Sequence, residues 1–178
     1  AIAEFCSTAM SGRSKERQAI ADKPIPIVVE IPVLPSRGGE TFLRSLFEPL
    51  GYSVLAQQLP LDEQFPEWGE SYYFQLRLEG NQRIRDTLNH LYVLIPVLDD
   101  RKHYYIGRDE IDKLMLRGGE WLASHPQKEE ISRRYLRHDR TLTNEALERL
   151  SELDGIVEPD EQAEEHDSQE EVAERPMG

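Results

Sequence analysis

The chain has 178 residues, a formal net charge of −13 at pH 7 and a hydrophobic content of 38%. No apolar run approaches the roughly 18 residues of a membrane-spanning helix, and the single cysteine, Cys6, excludes an internal disulfide framework. Because no signal peptide is recognisable and a lone thiol fits a reducing compartment, the sequence predicts a cytoplasmic protein that contacts no membrane.

The negative charge is concentrated at the C-terminus. Residues 152–178 hold eleven acidic and one basic side chain, a net of −10, which leaves −3 for the other 151 residues. This segment has no apolar periodicity, so it can bury little to offset the roughly 1–2 kcal/mol per residue that ordering costs. We therefore predict one domain over residues 1–153 and a disordered acidic linker or tail over residues 154–178.

The first predicted elements are a helix and an edge strand. Residues 1–11 have a helical apolar pattern, which Gly12 can end. Residues 24–34 alternate, and one side of the strand is formed by Ile25, Ile27, Val29, Ile31 and Val33. Pro26 and Pro32 lack a backbone N–H at positions of the other parity, which favours the edge of a sheet.

The middle of the chain predicts a helix, two strands and a second helix. Gly38-Gly39 opens the first helix, which Gly51 closes; its apolar positions are Phe42, Leu43, Leu46, Phe47 and Leu50. Residues 52–59 and 72–79 are predicted strands, and the second of these directs Tyr72, Phe74, Leu76 and Leu78 inward. Gly80-Asn81 is predicted to turn the chain into a helix with inward positions Ile84, Leu88, Leu91, Ile95 and Leu98. This β-α-β-β-α order predicts an α+β fold, a small mostly antiparallel or mixed sheet with helices on one face.

The rest of the chain is predicted to be helical. Asp109 is the predicted N-cap of a helix that ends at Leu116, because Gly118-Gly119 should break it. Trp121 and Leu122 then form a short turn. Two further helices are predicted over residues 129–137 and 144–153, the second with Thr143 as its N-cap.

The sequence contains no recognisable catalytic or cofactor motif. GxGxxG, GxxxxGK[ST], GxSxG and HExxH are all absent. Asp100 and His103 offer two candidate metal ligands, whereas a protein metal site needs three or four. The prediction is therefore a chain without an active site or bound metal of its own.

The candidate binding residues follow a strongly apolar stretch. Residues 91–98 are apolar on every side of a helix, which predicts protein on all faces, and Pro96 should kink or end that helix. The next residues combine charge and aromatic rings, as binding hot spots do: Arg101, Lys102, His103, Tyr104 and Tyr105. Trp68 and Arg13 are outer candidates. The alternatives are an ordinary solvated turn after a core helix, and a Trp68 that is tucked into the core.

A second basic group suggests an alternative function. Its members are Arg133, Arg134, Arg137 and Arg140. Such a helix face could bind RNA phosphates and present RNA ends to other enzymes. Acidic residues are interleaved with it, however, so solvated ion pairs are the competing interpretation.

Several unusual segments occur in an order that resembles one family. They are SGRSKERQ at 11–18, IPVLPSRGGE at 31–40, LFEPLGY at 46–52, LDEQFPEWGESYY at 61–73, HLYVLIPVLDD at 90–100, KHYYIG at 102–107, DEIDKL at 109–114 and RRYLRH at 133–138. Together they resemble the N-terminal half of the bacterial Hen family, the RNA 3'-terminal ribose 2'-O-methyltransferases of an RNA repair system.

The resemblance implies a non-catalytic region with a protein partner. It would bind the ligase module of a bacterial polynucleotide kinase–phosphatase–ligase and promote adenylation of that module, with RNA as an indirect partner. The methyltransferase domain of the family needs S-adenosylmethionine and a divalent metal, and the Gly-rich loop and Glu/His cluster that bind them are not in these residues. The chain, which lacks an initiator Met, is expected to be a fragment without the preceding subdomain and the methyltransferase domain.

Overall fold

A computed structural model of the chain describes residues 4, 6–101 and 106–155. Over these residues the protein is α+β, with a three-stranded antiparallel sheet, seven α-helices and an all-helical C-terminal part. The predicted fold class is thus confirmed. Of the predicted acidic tail at residues 154–178, the first two residues belong to the last helix, and residues 156–178 lie outside the described residues.

The sheet places its last strand in the centre. Its strands are β1 (Ile25–Pro35), β2 (Ser53–Pro60) and β3 (Glu70–Gln82), in the order β1-β3-β2. The edge position predicted for β1 from its prolines is confirmed. The central β3 has no proline, as expected for a strand that must donate hydrogen bonds to neighbours on both sides.

A bulge in β1 overturns one predicted orientation. The register with β3 shifts between Ile31 and Leu34. Leu34 consequently enters the core with 2% of its surface exposed, whereas Val33, predicted to share a side of the strand with Ile31, is 58% exposed. An extra residue in one strand reverses which side the following side chains occupy, so simple alternation fails there.

The described residues of the first half of the chain include four α-helices. Their bounds are α1 (Ser7–Met10), α2 (Gln18–Ala21), α3 (Gly39–Phe47) and α4 (Ile84–Asp99). A short 3-10 turn extends α3 to Gly51, which has a left-handed φ of 87° and ends the segment as predicted. Gly80 and Asn81 belong to β3 and do not form the predicted turn. A Cβ at Gly80 would lie 3.2 Å from the Gly51 carbonyl oxygen, so glycine allows this close approach.

Helix α4 is the central helix of the domain. It contacts β1, α1 and the C-terminal helices, and its buried stripe comprises Thr87, His90, Leu91, Val93, Leu94, Val97 and Leu98. Three of the predicted inward positions lie outside this stripe: Ile84 is exposed, and Leu88 and Ile95 are only partly buried. Pro96 is exposed, so the prediction of protein on every face is wrong at this residue. The helix continues past Pro96 and ends at Asp100, which has a left-handed φ of 47°.

The C-terminal part consists of α5 (Asp109–Leu122), α6 (Lys128–Tyr135) and α7 (Arg140–Gly155). Gly118-Gly119 lies inside α5, so the predicted break is wrong. A Cβ on Gly119 would lie 3.3 Å from Leu153 Cδ1, which shows that this glycine lets α7 pack closely. Arg108, not Asp109, occupies the N-cap position of α5. Asp139, not Thr143, caps α7, since its Oδ1 accepts a hydrogen bond from the Leu142 N–H at 3.0 Å.

One hydrophobic core lies between the helices and a single face of the sheet. Its sheet residues include Leu34, Val54, Phe74, Leu76 and Leu78. The opposite face is open to solvent and carries an ion-pair ladder in which Arg77 contacts Glu30 and Glu79. No helix in the described part of the chain is both long and apolar enough to cross a membrane.

Candidate partner-binding surface

The termini of three elements meet at one corner of the domain. The Ser36 N–H donates to the Tyr72 carbonyl at 2.8 Å, and the Arg37 N–H donates to the Leu98 carbonyl at 3.1 Å. These bonds join the end of β1, the start of β3 and the end of α4. We call the side chains collected there the arginine–tyrosine corner: Arg37, Tyr72, Tyr73, Arg101 and Arg137.

The tyrosines of the corner are arranged by arginines. Arg101 Nη2 donates to the Tyr72 hydroxyl at 3.0 Å, and the Arg37 guanidinium lies 4.6 Å from the centre of the Tyr72 ring. The hydroxyl oxygens of Tyr72 and Tyr73 are 2.9 Å apart. The hydrogen bond from Tyr73, followed by that from Arg101, lowers the pKa of Tyr72, and the same tyrosine contact raises the pKa of Tyr73. The Tyr72 oxygen accepts the bond from Arg101, and either hydroxyl can be the donor in the bond between the two tyrosines.

The end of α6 contributes the fifth member of the corner. Arg137 Nη1 donates to the Arg101 carbonyl at 2.5 Å, and His138 Nε2 lies 2.8 Å from Asp100 Oδ1. Arg137 and His138 have left-handed φ values of 55° and 64°, which direct the chain back toward α4. The fold thereby brings the second basic group of the sequence next to Arg101.

Only part of this basic group is neutralised by ion pairs. Arg133 and Arg134 both bind Glu130, at 2.7 and 2.5 Å, so the ion-pair interpretation is confirmed for them. Within the described residues, Arg37 and Arg137 have no carboxylate oxygen within 4 Å. Burial raises the pKa of Glu130, but the hydrogen bonds from its two arginines outweigh this and leave that pKa lowered. Among the described residues, the corner therefore presents two positive charges without a carboxylate partner beside the half-buried rings of Tyr72 and Tyr73.

The predicted binding residues are not all in one place. Arg101 belongs to the corner, whereas Lys102, His103, Tyr104 and Tyr105 lie outside the described residues. Trp68 lies in the β2–β3 hairpin, 57% exposed and stacked on Phe65 with ring centres 4.5 Å apart. The alternative of a Trp68 tucked into the core is thus wrong.

Arg13 lies far from Arg101. Its neighbour Gly12 is adjacent to Arg85, in the first turn of α4. The 16 residues of α4 span about 24 Å at 1.5 Å per residue, and Arg101 follows their other end. Arg13 and Arg101 therefore cannot belong to one compact contact patch.

Sequence analysis missed four of the five corner residues. Strand alternation predicted that Tyr72 faces inward, and neither Arg37 nor Tyr73 occurs in a recognisable motif. Arg137 was noted only as part of the basic group. Residues 37, 72, 101 and 137 are far apart in the sequence and come together only when the chain folds. No spacing in the sequence therefore predicts this cluster.

A buried polar cluster beneath α4 has a structural role. The Tyr52 hydroxyl lies 2.9 Å from His90 Nδ1 and 3.1 Å from Thr87 Oγ1, and His90 packs edge-on against Trp121. Burial lowers the pKa of His90 to about 4 and raises the pKa of Tyr52 to about 12. His125 Nε2 donates to the Leu46 carbonyl at 3.0 Å, and burial lowers the pKa of this histidine as well. Both imidazoles are neutral and hydrogen-bonded, as structural histidines are.

The described residues offer no alternative metal centre. No group of three or more His, Cys, Asp or Glu side chains there is arranged to hold a metal ion. The corner is therefore the best supported candidate surface among the described residues, because the exposed Arg37 and Arg101 contact the half-buried Tyr72.

A comparison with protein families identifies a match over most of the chain. A family model described as the RNA repair, ligase-Pnkp-associating region of Hen1 matches residues 1–151. A comparison with curated proteins found no similar sequence. The matched range contains the whole sheet, the arginine–tyrosine corner, the β2–β3 hairpin and most of α7.

Proposed function

Because the chain belongs to the family of the RNA repair, ligase-Pnkp-associating region of Hen1, we propose that it binds the ligase module of a bacterial polynucleotide kinase–phosphatase–ligase and promotes its adenylation. The observation that carries this proposal is the family match, which spans residues 1–151 of the 178. The chain would act without an active site of its own, and the acidic segment at residues 154–178 would serve as a spacer.

The arginine–tyrosine corner is the proposed contact surface, together with residues 102–105. Arginine and tyrosine are enriched among binding hot spots, because they supply large contact areas with polar ends. The Tyr72 side chain is already fixed by Arg37, Arg101 and Tyr73, so little conformational entropy is lost when a partner binds it. A rigid surface of this kind supports tight and specific binding.

Activation requires a difference in affinity between two states of the partner. A binding protein shifts a conformational equilibrium only when it binds one state more tightly than the other. The corner would therefore contact groups that the ligase module arranges differently in its adenylation-competent state. A tenfold difference in affinity corresponds to about 1.4 kcal/mol.

Adenylation of the ligase module tests the proposal directly. Self-adenylation is measured with radiolabelled ATP, with and without the full 178-residue chain, and binding is measured by calorimetry. We expect stimulation by the wild-type chain, and a loss of about 2 kcal/mol, roughly 30-fold in Kd, for Arg101→Ala. Arg17→Ala is the matched control, because Arg17 is exposed and its neighbour Gln18 donates to the carbonyl of Gly12, which is adjacent to Arg85 at the opposite end of α4. Adenylation that is unchanged by a bound wild-type chain would contradict activation.

RNA binding by the corner is the second candidate function. It is favoured by Arg37 and Arg137, which have no carboxylate partner among the described residues. Each phosphate neutralised contributes about 0.9 to the slope of log K against log salt concentration on duplex nucleic acid, and about 0.7 on single strands. A titration of single-stranded RNA at several salt concentrations tests it, and R37A/R137A should remove about two phosphate equivalents from that slope. Absence of RNA binding by a chain that binds the ligase would exclude this function.

A further inference from the structure

The hairpin between β2 and β3 exposes three large apolar side chains. Over residues 61–70, Leu61, Phe65 and Trp68 are 60%, 41% and 57% exposed. We call these ten residues the aromatic hairpin. Three large apolar side chains that share one short loop mark an interaction site more strongly than the same side chains scattered singly.

The aromatic hairpin has a defined shape although it is exposed. The Leu61 N–H donates to the Gly69 carbonyl at 2.9 Å, and the Gln64 N–H donates to Asp62 Oδ1 at 2.7 Å. Pro66 starts a 3-10 turn, and Gly69 has a φ of 84° that favours glycine. The rings of Phe65 and Trp68 stack with an interplanar angle of 13°. The aromatic pair is thus held in place before any partner arrives, which lowers the entropic cost of binding.

The charge of the aromatic hairpin is entirely negative. Residues 61–70 include Asp62, Glu63, Glu67 and Glu70 and no basic residue. An acidic rim repels RNA phosphates, which argues against stacking of an RNA base on Trp68. It favours a protein surface in which lysine and arginine surround an apolar contact, since cations also bind the face of tryptophan.

The hairpin lies at the same end of the sheet as the arginine–tyrosine corner. β2 ends at Pro60 and β3 begins at Glu70, only two residues before Tyr72 of the corner. One partner can therefore contact a positive corner and a negative hairpin together. Opposite charges at two ends of one contact surface fix the orientation of the partner.

We propose that the aromatic hairpin docks on a basic surface of the ligase module, with Trp68 and Phe65 as its apolar anchor. The identity of the partner rests on the proposed function. A ligase that acts on RNA with ATP must bind two polyanions, and this requires surfaces rich in lysine and arginine. The acidic hairpin matches such a surface in charge.

Binding of the ligase module by hairpin variants tests the inference. Trp68→Ala is expected to raise Kd at least 30-fold, as the loss of a hot-spot tryptophan does. The double variant E63K/E67K is expected to weaken binding about tenfold or more at low salt and much less at high salt, because the interaction it removes is screened. Both variants should keep the wild-type melting temperature, since the replaced side chains are exposed.

Two control variants match these changes elsewhere on the surface. Leu116→Ala removes a 74% exposed apolar side chain on α5, and E148K/E152K reverses two exposed charges on α7. Neither should change Kd. If the wild-type chain binds the ligase module and both hairpin variants bind it with the same Kd, the docking of the hairpin is overturned and the proposed function is not. Absence of any complex with the wild-type chain overturns the proposed function, and with it the ligase as the partner of the hairpin.

Discussion

The stability of the domain should fall as the pH is lowered from 7.5 to 5.0, because His90 is buried as a neutral side chain. Burial lowers its pKa from the ordinary 6.5 to about 4, and the attraction of Asp86 offsets this only in part. In the unfolded chain the same imidazole takes up a proton near pH 6.5. Between these two pKa values the unfolded state binds more protons, so the free energy of unfolding rises with pH.

The size of the effect follows from the two pKa values. Each unit of pKa difference corresponds to about 1.4 kcal/mol, and at pH 5.0 the linkage relation gives a loss of about 2 kcal/mol for His90. His125 contributes in the same direction, because burial lowers its pKa too. A loss of this size is large against the total of roughly 5–15 kcal/mol that is typical of a folded domain.

Urea denaturation followed by tryptophan fluorescence measures this loss at pH 7.5 and 5.0. The window lies above the pKa range of ordinary carboxylates, so their titration adds little. In His90→Gln the amide keeps a polar partner for the Tyr52 hydroxyl but cannot take up a proton, and only the His125 share of the acid sensitivity should remain. An equal loss in the wild-type protein and in His90→Gln would refute the assignment to His90.

Three further predictions concern the packing and capping of the helices. Leu94→Ala, at a fully buried position of α4, should lower the free energy of unfolding by about 2–5 kcal/mol, measured by urea denaturation; a change below 1 kcal/mol would contradict its core position. Gly119→Val should lower the free energy of unfolding by about 1–3 kcal/mol in urea denaturation, because the new side chain meets Leu153. The double variant with L153A should recover part of this loss. Asp139→Ala should lower the free energy of unfolding by about 0.5–2 kcal/mol, because it removes the N-cap of α7. Thr143→Ser should lower it less, since serine can keep the bond to the Asp139 carbonyl. An unchanged thermal unfolding of Asp139→Ala would exclude the capping role.

Local sequence features were sufficient to predict the α+β fold class of the domain. Alternation identified residues 72–79 as a strand and the prolines of β1 identified an edge strand, because strand periodicity and a missing N–H act within one element. The α3 helix was predicted from its glycines and apolar spacing for the same reason. The family, too, was recognisable from short segments in a fixed order.

Other features depended on which elements meet. Gly118-Gly119 is a helix breaker by propensity, yet it lies inside α5, and the close approach of Leu153 favours a residue without a side chain at Gly119. Val33 is exposed because a bulge against β3 reverses the alternation of β1. Neither Leu153 nor the β3 register can be inferred from the residues around these positions.

For the candidate surface, too, some features were predictable from local sequence and others depended on the packing of distant segments. The sequence by itself determined that charged and aromatic residues follow α4 at Arg101, and that a proline-bracketed loop carries Trp68. Only the tertiary structure decided that Arg37, Tyr72 and Arg137 join Arg101, that Trp68 is exposed, and that Arg13 lies at the other end of α4. Residue type and spacing act along the chain, whereas a surface depends on contacts between distant segments, and those contacts are fixed only when the helices and the sheet pack around a common core.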